Sequence, residues 1–142
     1  MNYSISTIAG TIAVSGLTLA LNITPALARH APAAHRQGNV TYVTGSAGES
    51  DAIEHRARYY PLELEFLRTA KPEDEHVSGV KVRIKDAHDK MVLNVTADGP
   101  FLLARMPAGK YTVSAERNGK FEYRQIKLAA REHQRVVFEW QS

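Results

Sequence analysis

From Leu62 to Trp140 the apolar residues of this chain recur mostly at every second position. Leu62, Leu64 and Phe66 alternate with Glu63 and Glu65. Val80, Val82 and Ile84 alternate with Lys81, Arg83 and Lys85. Val136, Phe138 and Trp140 follow the same rule. Successive side chains of a strand point to opposite faces, so this period spells strand and excludes helix over most of the chain. Each run reads as a half-buried strand with a polar outer face.

Turn chemistry separates the runs. Asp86–Lys90 is turn-like, Asp98-Gly99 and Pro107-Ala-Gly109 follow, and Asn118-Gly119 is the strongest hairpin signal. Both central residues of a type I′ turn need positive φ, which Asn and Gly tolerate. Strands are expected at 39–44, 62–66, 80–85, 91–96, 101–106, 111–115, 121–128 and 135–140. Seven or eight short strands at such spacing predict a mainly β fold, an antiparallel sandwich.

One segment breaks the pattern. Ser46 with Glu49 three residues later fits a capping box. Ile53, Ala57 and Tyr60 then recur at helical spacing, so 49–59 is expected to be one short N-terminal helix, stopped by Pro61. Acidic residues come early in it and Arg56 and Arg58 late, which suits the helix dipole.

The head of the chain is different again. The 18 Lys or Arg, the 15 Asp or Glu and all six His fall after residue 28. Residues 5–21 are small and apolar, Pro25 follows, and Ala26-Leu-Ala28 is a small-x-small site before Arg29. This reads as a signal peptide over 1–28, cut between Ala28 and Arg29. An uncleaved membrane anchor is the alternative. Either reading puts the domain outside the cytoplasm, periplasmic or secreted. Residues 29–38 read as a flexible leader, being rich in Ala and Pro and without periodicity.

Residues 77–139 carry a resemblance. Ser78-Gly79-Val80-Lys-Val82 matches "G-V-x-V", and Thr96-Ala-Asp98-Gly99-Pro-Phe101 is a shortened form of "T-D-x-x-G-x-F". Met106-Pro107-Ala-Gly109-Lys-Tyr111-Thr-Val113 matches "L-P-x-G-x-Y-x-V". This stretch resembles the carboxypeptidase regulatory-like domain, a transthyretin-like (prealbumin-like) β-sandwich. The resemblance implies a regulatory-like sandwich over 77–142, with 39–76 as an N-terminal extension of strand, helix and strand packed on it. It implies an accessory or binding role beside another protein, and no catalysis. Gly79, Val80, Val82, Asp98, Gly99, Phe101, Pro107, Gly109 and Tyr111 are then structural motif positions. Pro107 presets a turn, Gly109 takes a conformation closed to other residues, and Tyr111 points inward. Pro100 lacks an N–H, which places it at a strand start or a sheet edge.

Composition removes several chemistries. The chain has no Cys, so it offers no disulfide, thiol nucleophile or cysteine-zinc site. No His has Glu three residues on, as a zinc peptidase motif would require. Gly45-Ser-Ala-Gly48 is neither a nucleophile elbow nor a phosphate loop and reads as a helix-opening turn. Asp51 and His55 stand at i, i+4 but lack a third metal ligand. The net charge of +3 is small and not laid out as a nucleic-acid footprint. Lys81, Arg83 and Lys85 form a basic stripe, expected to pair across strands with Glu63 and Glu65; an anion site is the alternative. Tyr59, Tyr60 and Trp140 are the candidate exposed aromatics, with core or rim packing as their bland reading. Asn-x-Ser/Thr triplets begin at Asn22, Asn39 and Asn94.

The expected protein is therefore an exported, non-catalytic accessory or binding module that supports another cell-envelope component, either a protein or a polysaccharide. A carbohydrate-binding module is the alternative, marked by coplanar exposed aromatics on one sheet face. An enzyme with an unrecognised site comes third and would need a pocket of convergent polar groups with shifted titrations. No catalytic residue, cofactor, metal or nucleic-acid partner is expected, and membrane contact only through an uncleaved head.

Overall fold

The computed structural model describes residues 31–142, so the cleavage site at Ala28 and Arg29 lies outside the described residues. Ten strands form two sheets. They are β1 (Ala34–Gln37), β2 (Val40–Gly45), β3 (Leu62–Arg68), β4 (Glu75–His76), β5 (Lys81–Asp86), β6 (Met91–Thr96), β7 (Phe101–Arg105), β8 (Gly109–Arg117), β9 (Lys120–Leu128) and β10 (Gln134–Trp140). Helix α1 spans Ser50–Ala57. The larger sheet runs β1-β2-β7-β3-β10, with β4 beside the end of β3, and the smaller runs β6-β5-β8-β9. The fold is the mainly β sandwich that the alternation predicts. One pairing departs from the antiparallel expectation: β10 lies parallel to β3, from Leu62 opposite Gln134 to Arg68 opposite Trp140.

The alternating apolar residues meet between the sheets. Leu62, Leu64, Phe66, Phe138 and Trp140 of the larger sheet pack against Val82, Ile84, Val113 and Ile126 of the smaller. Phe66 lies 6.1 Å from Phe138 and 6.4 Å from Trp140, ring centre to ring centre, in tilted geometries that favour aromatic contact. Asn118 and Gly119 both adopt positive φ in the β8–β9 turn, as the hairpin signal requires.

The motif positions hold the sandwich together. Val80 and Val82 are fully buried. Gly79 donates its N–H to Ala97 at 3.0 Å, and Asp98 accepts the Thr44 hydroxyl at 3.0 Å. Gly99 passes so close to β2 that a Cβ there would lie 2.1 Å from the Gly45 carbonyl oxygen. Phe101 opens β7 directly after Pro100, so the proline sits at a strand start. Gly109 takes φ +155°. Tyr111 points inward, and its hydroxyl donates to the Pro107 carbonyl at 2.6 Å. Tyr111→Phe is expected to cost about 0.5–1.5 kcal/mol in a urea melt, the value of one such bond. An unchanged midpoint would remove that bond from the account.

Residues 39–76 are not packed on a separate sandwich. They supply β2, β3 and β4, and β3 lies between β7 and β10, so no boundary at residue 77 divides the fold. The leader expected over 29–38 is also revised. Ala34–Gln37 pairs antiparallel with β2, and the Arg56 guanidinium donates to the Pro32 carbonyl. All four residues of β1 are exposed, so no alternation of buried side chains announces the strand, which is held by backbone pairing and by the His35 ring stacked on Tyr42 of β2 at 5.4 Å. At the end of β1, the Gln37 side-chain amide pairs with the backbone N–H and C=O of Asn94 at 2.6 and 3.2 Å, joining the larger sheet to the edge of the smaller.

The helix is shorter than the expected 49–59 and is preceded by a 3-10 turn, Ala47–Glu49. The Glu49 carboxylate accepts both the N–H and the hydroxyl of Ser46 at 2.8 Å. The Ser46 N–H, with help from the hydroxyl, holds that carboxyl below its usual range. Ile53, Ala57 and Tyr60 bury a second cluster with Val43, Phe101 and Leu103. The helix thus roofs the outer face of the larger sheet. Among the described residues no helix is long and apolar enough to cross a membrane.

Candidate functional site

The roof changes the meaning of Glu63 and Glu65. Alternation puts both on the outer face of β3, and they remain 7% and 6% exposed there. They do not meet Lys81, Arg83 and Lys85, because β3 and β5 belong to different sheets. The expected cross-strand pairs are replaced by partners from three other places. His76 of β4 brings Nε2 to 2.9 Å from Glu65 Oε1. Arg135 of β10 pairs with the other oxygen of Glu65, and its Nε lies 4.0 Å from Glu63. His133 brings Nε2 to 2.9 Å from Glu63 Oε2.

Electrostatics follow from this geometry. Burial pushes the Glu65 carboxyl up, but hydrogen bonds from His76 and Arg135 outweigh it, and the carboxyl titrates below its ordinary value. The bond to Glu65 pushes the Arg135 guanidinium up in turn. His133 Nδ1 sits 2.8 Å from the Tyr60 carbonyl while Nε2 faces Glu63. These groups border a cavity of about 610 Å³ with Glu54 and Arg58 of the helix region. The pocket has the convergent polar groups and shifted titration that an enzymatic reading asks for. Three of the four carboxylate oxygens are already bonded, and Glu65 is held ionised. Among the described residues no three His, Asp or Glu converge as metal ligands. Asp51 and His55 stay exposed on α1.

The outer face of the smaller sheet is open. On β9 the inward positions are Ile126 and Leu128, so Phe121, Tyr123, Gln125 and Lys127 point out. Register extends these into rows across the sheet. Tyr123 stands beside Ser114, then Arg83, then Asn94. Phe121 stands beside Glu116, then Lys81, then Thr96. Phe121 and Tyr123 are 44% and 60% exposed, with ring centres 6.1 Å apart and planes 11° from parallel.

Of the aromatics singled out in sequence, Tyr59 is exposed, whereas Tyr60 and Trp140 are buried. Trp140 donates its indole N–H to the Lys120 carbonyl at 3.1 Å. The exposed pair lies elsewhere, on β9. The signal for it was present: Phe121 and Tyr123 share parity with each other and oppose that of Ile126 and Leu128. Comparison with protein-family models and with curated proteins finds no match to this chain.

Proposed function

We propose that this chain is an exported, non-catalytic binding module that supports another cell-envelope component. What carries the reading is the unlike character of the two outer faces. Helix α1 covers part of one, and the other presents two large exposed rings on a strand-built platform. Exposed aromatics of this size are costly to leave in water and are typical of recognition surfaces. Export rests on the uncharged head and the Ala26-Leu-Ala28 site.

A second reading narrows the ligand to carbohydrate. Near-parallel rings on one sheet face favour it, because sugar rings have apolar faces that stack on aromatic planes while hydroxyl and amide side chains nearby bond their edges. The test is co-sedimentation of the full chain with isolated envelope fragments. Wild type should be retained, and Tyr123→Ala should weaken retention about tenfold or more, as loss of an aromatic anchor does. No retention on any envelope fraction would sink the binding reading.

A further inference from the structure

We propose that the outer face of the smaller sheet binds an acidic polysaccharide, with Phe121 and Tyr123 stacking on its sugar rings and Arg83, Lys110 and Lys127 reading its carboxylates. The inference rests on the carbohydrate reading and specifies its charge.

Charge complementarity carries it. Strand parity places Lys81, Arg83, Lys85, Lys110 and Lys127 on this face with Glu116 as the acidic residue among the strands. Lys110 and Lys127 stand directly opposite one another across β8 and β9. Like charges so placed repel, and the fold gains nothing from them. Among the described residues no carboxylate lies within 4.0 Å of Lys81, Arg83, Lys110 or Lys127, whereas Lys85 reaches Asp89 at 3.4 Å. At one end of the face Lys110 and Lys127 line, with Thr112, Gln125 and the carboxylates of Asp86 and Asp89, a concavity of about 510 Å³, so the cationic excess lies on the open strands rather than in the concavity. The cations do not form an unbroken track. Ser114, Thr112, Gln125 and Asn94 lie among them and offer hydroxyl and amide groups. A polymer bearing both hydroxyls and spaced carboxylates matches that alternation. A polyphosphate backbone would be better served by contiguous cations. The row from Tyr123 to Asn94 crosses three interstrand gaps, about 14 Å, long enough to engage successive units of a chain.

The decisive probe is polygalacturonate beside its methyl ester, which keeps the sugar backbone and removes the charge. Binding of the full chain is measured by titration calorimetry at low and high salt. Polygalacturonate should bind about tenfold or more tightly than the ester at low salt, and the advantage should shrink as salt screens it. The double variant Lys110→Gln, Lys127→Gln should lose most of the preference, Arg83 keeping the remainder, and leave ester binding intact; an unchanged preference would overturn the assignment to these lysines. Both lysines are exposed, so folding should survive, and an unchanged melting curve verifies that. Equal binding to both polymers would overturn the charge assignment and leave the carbohydrate reading standing. Binding to neither polymer would overturn both. Stronger binding to single-stranded RNA or to anionic phospholipid vesicles, equally sensitive to Tyr123→Ala, would also overturn the proposal.

Discussion

Phe66→Ala is expected to remove about 3–5 kcal/mol of stability, a large part of what a domain of this size commands. Phe66 is fully buried and packs its ring against those of Phe138 and Trp140. Its strand has a neighbour on each side, so the cavity cannot collapse by moving an edge. Phe66→Leu keeps most of the volume and should cost less, about 1.5 kcal/mol. The chain has one Trp, so urea melts followed by Trp140 fluorescence read both variants directly. A loss below about 1 kcal/mol for Phe66→Ala would mean that Phe66 is not in the core.

The second large effect belongs to the charge network beneath α1. Arg135→Met leaves Glu65 buried with His76 as its one remaining partner. Removing one member of a buried pair costs about 3–5 kcal/mol. Arg135 is half exposed, so about 2–3 kcal/mol is expected at neutral pH. The effect should depend on pH in one direction. The folded-state Glu65 carboxyl titrates below its unfolded value, so it contributes stability above that value and loses it as the pH falls through the folded one. The difference between wild type and Arg135→Met should therefore hold steady above roughly pH 5 and narrow below roughly pH 4. A difference that persists unchanged to pH 3 would assign the loss to packing of the Arg135 stem instead.

The same residues show where sequence reading stops. Eight of the ten strands are legible in sequence: alternation marks β3, β5 and β10, where burial against one layer writes a period of two, and turn chemistry with β-branched and aromatic content marks the others. β1 leaves no such trace, since all four of its residues are exposed. Glu63 and Glu65 were misread for a different reason. Their alternation marks a second face correctly, but solvent is not what covers it. The helix, His76, His133 and Arg135 do, and the last two come about 70 positions along the chain. Local pattern carries no record of such partners. Phe121 and Tyr123 are the opposite case, legible from parity against Ile126 and Leu128 alone. The charge stripe at Lys81, Arg83 and Lys85 is legible as a stripe, but that Glu63 and Glu65 do not pair with it emerges only from the placement of β3 and β5 in separate sheets.

The parallel pairing of β10 with β3 has a kinetic consequence. Each residue of β3 meets a partner 72 positions downstream, as Gln134 is from Leu62. Closing a loop of that length costs about 4 kcal/mol of chain entropy before the first contact returns anything. Hairpins such as β8–β9 need far shorter closures and should form first. During that interval Leu62–Arg68 is an apolar strand with one open flank, the feature that seeds strand-to-strand aggregation. Trp140 sits at the end of β10, so its fluorescence should change in the slowest refolding phase. Conditions that lengthen this phase should raise the aggregated fraction, and an aggregate yield independent of it would place the hazard on another strand.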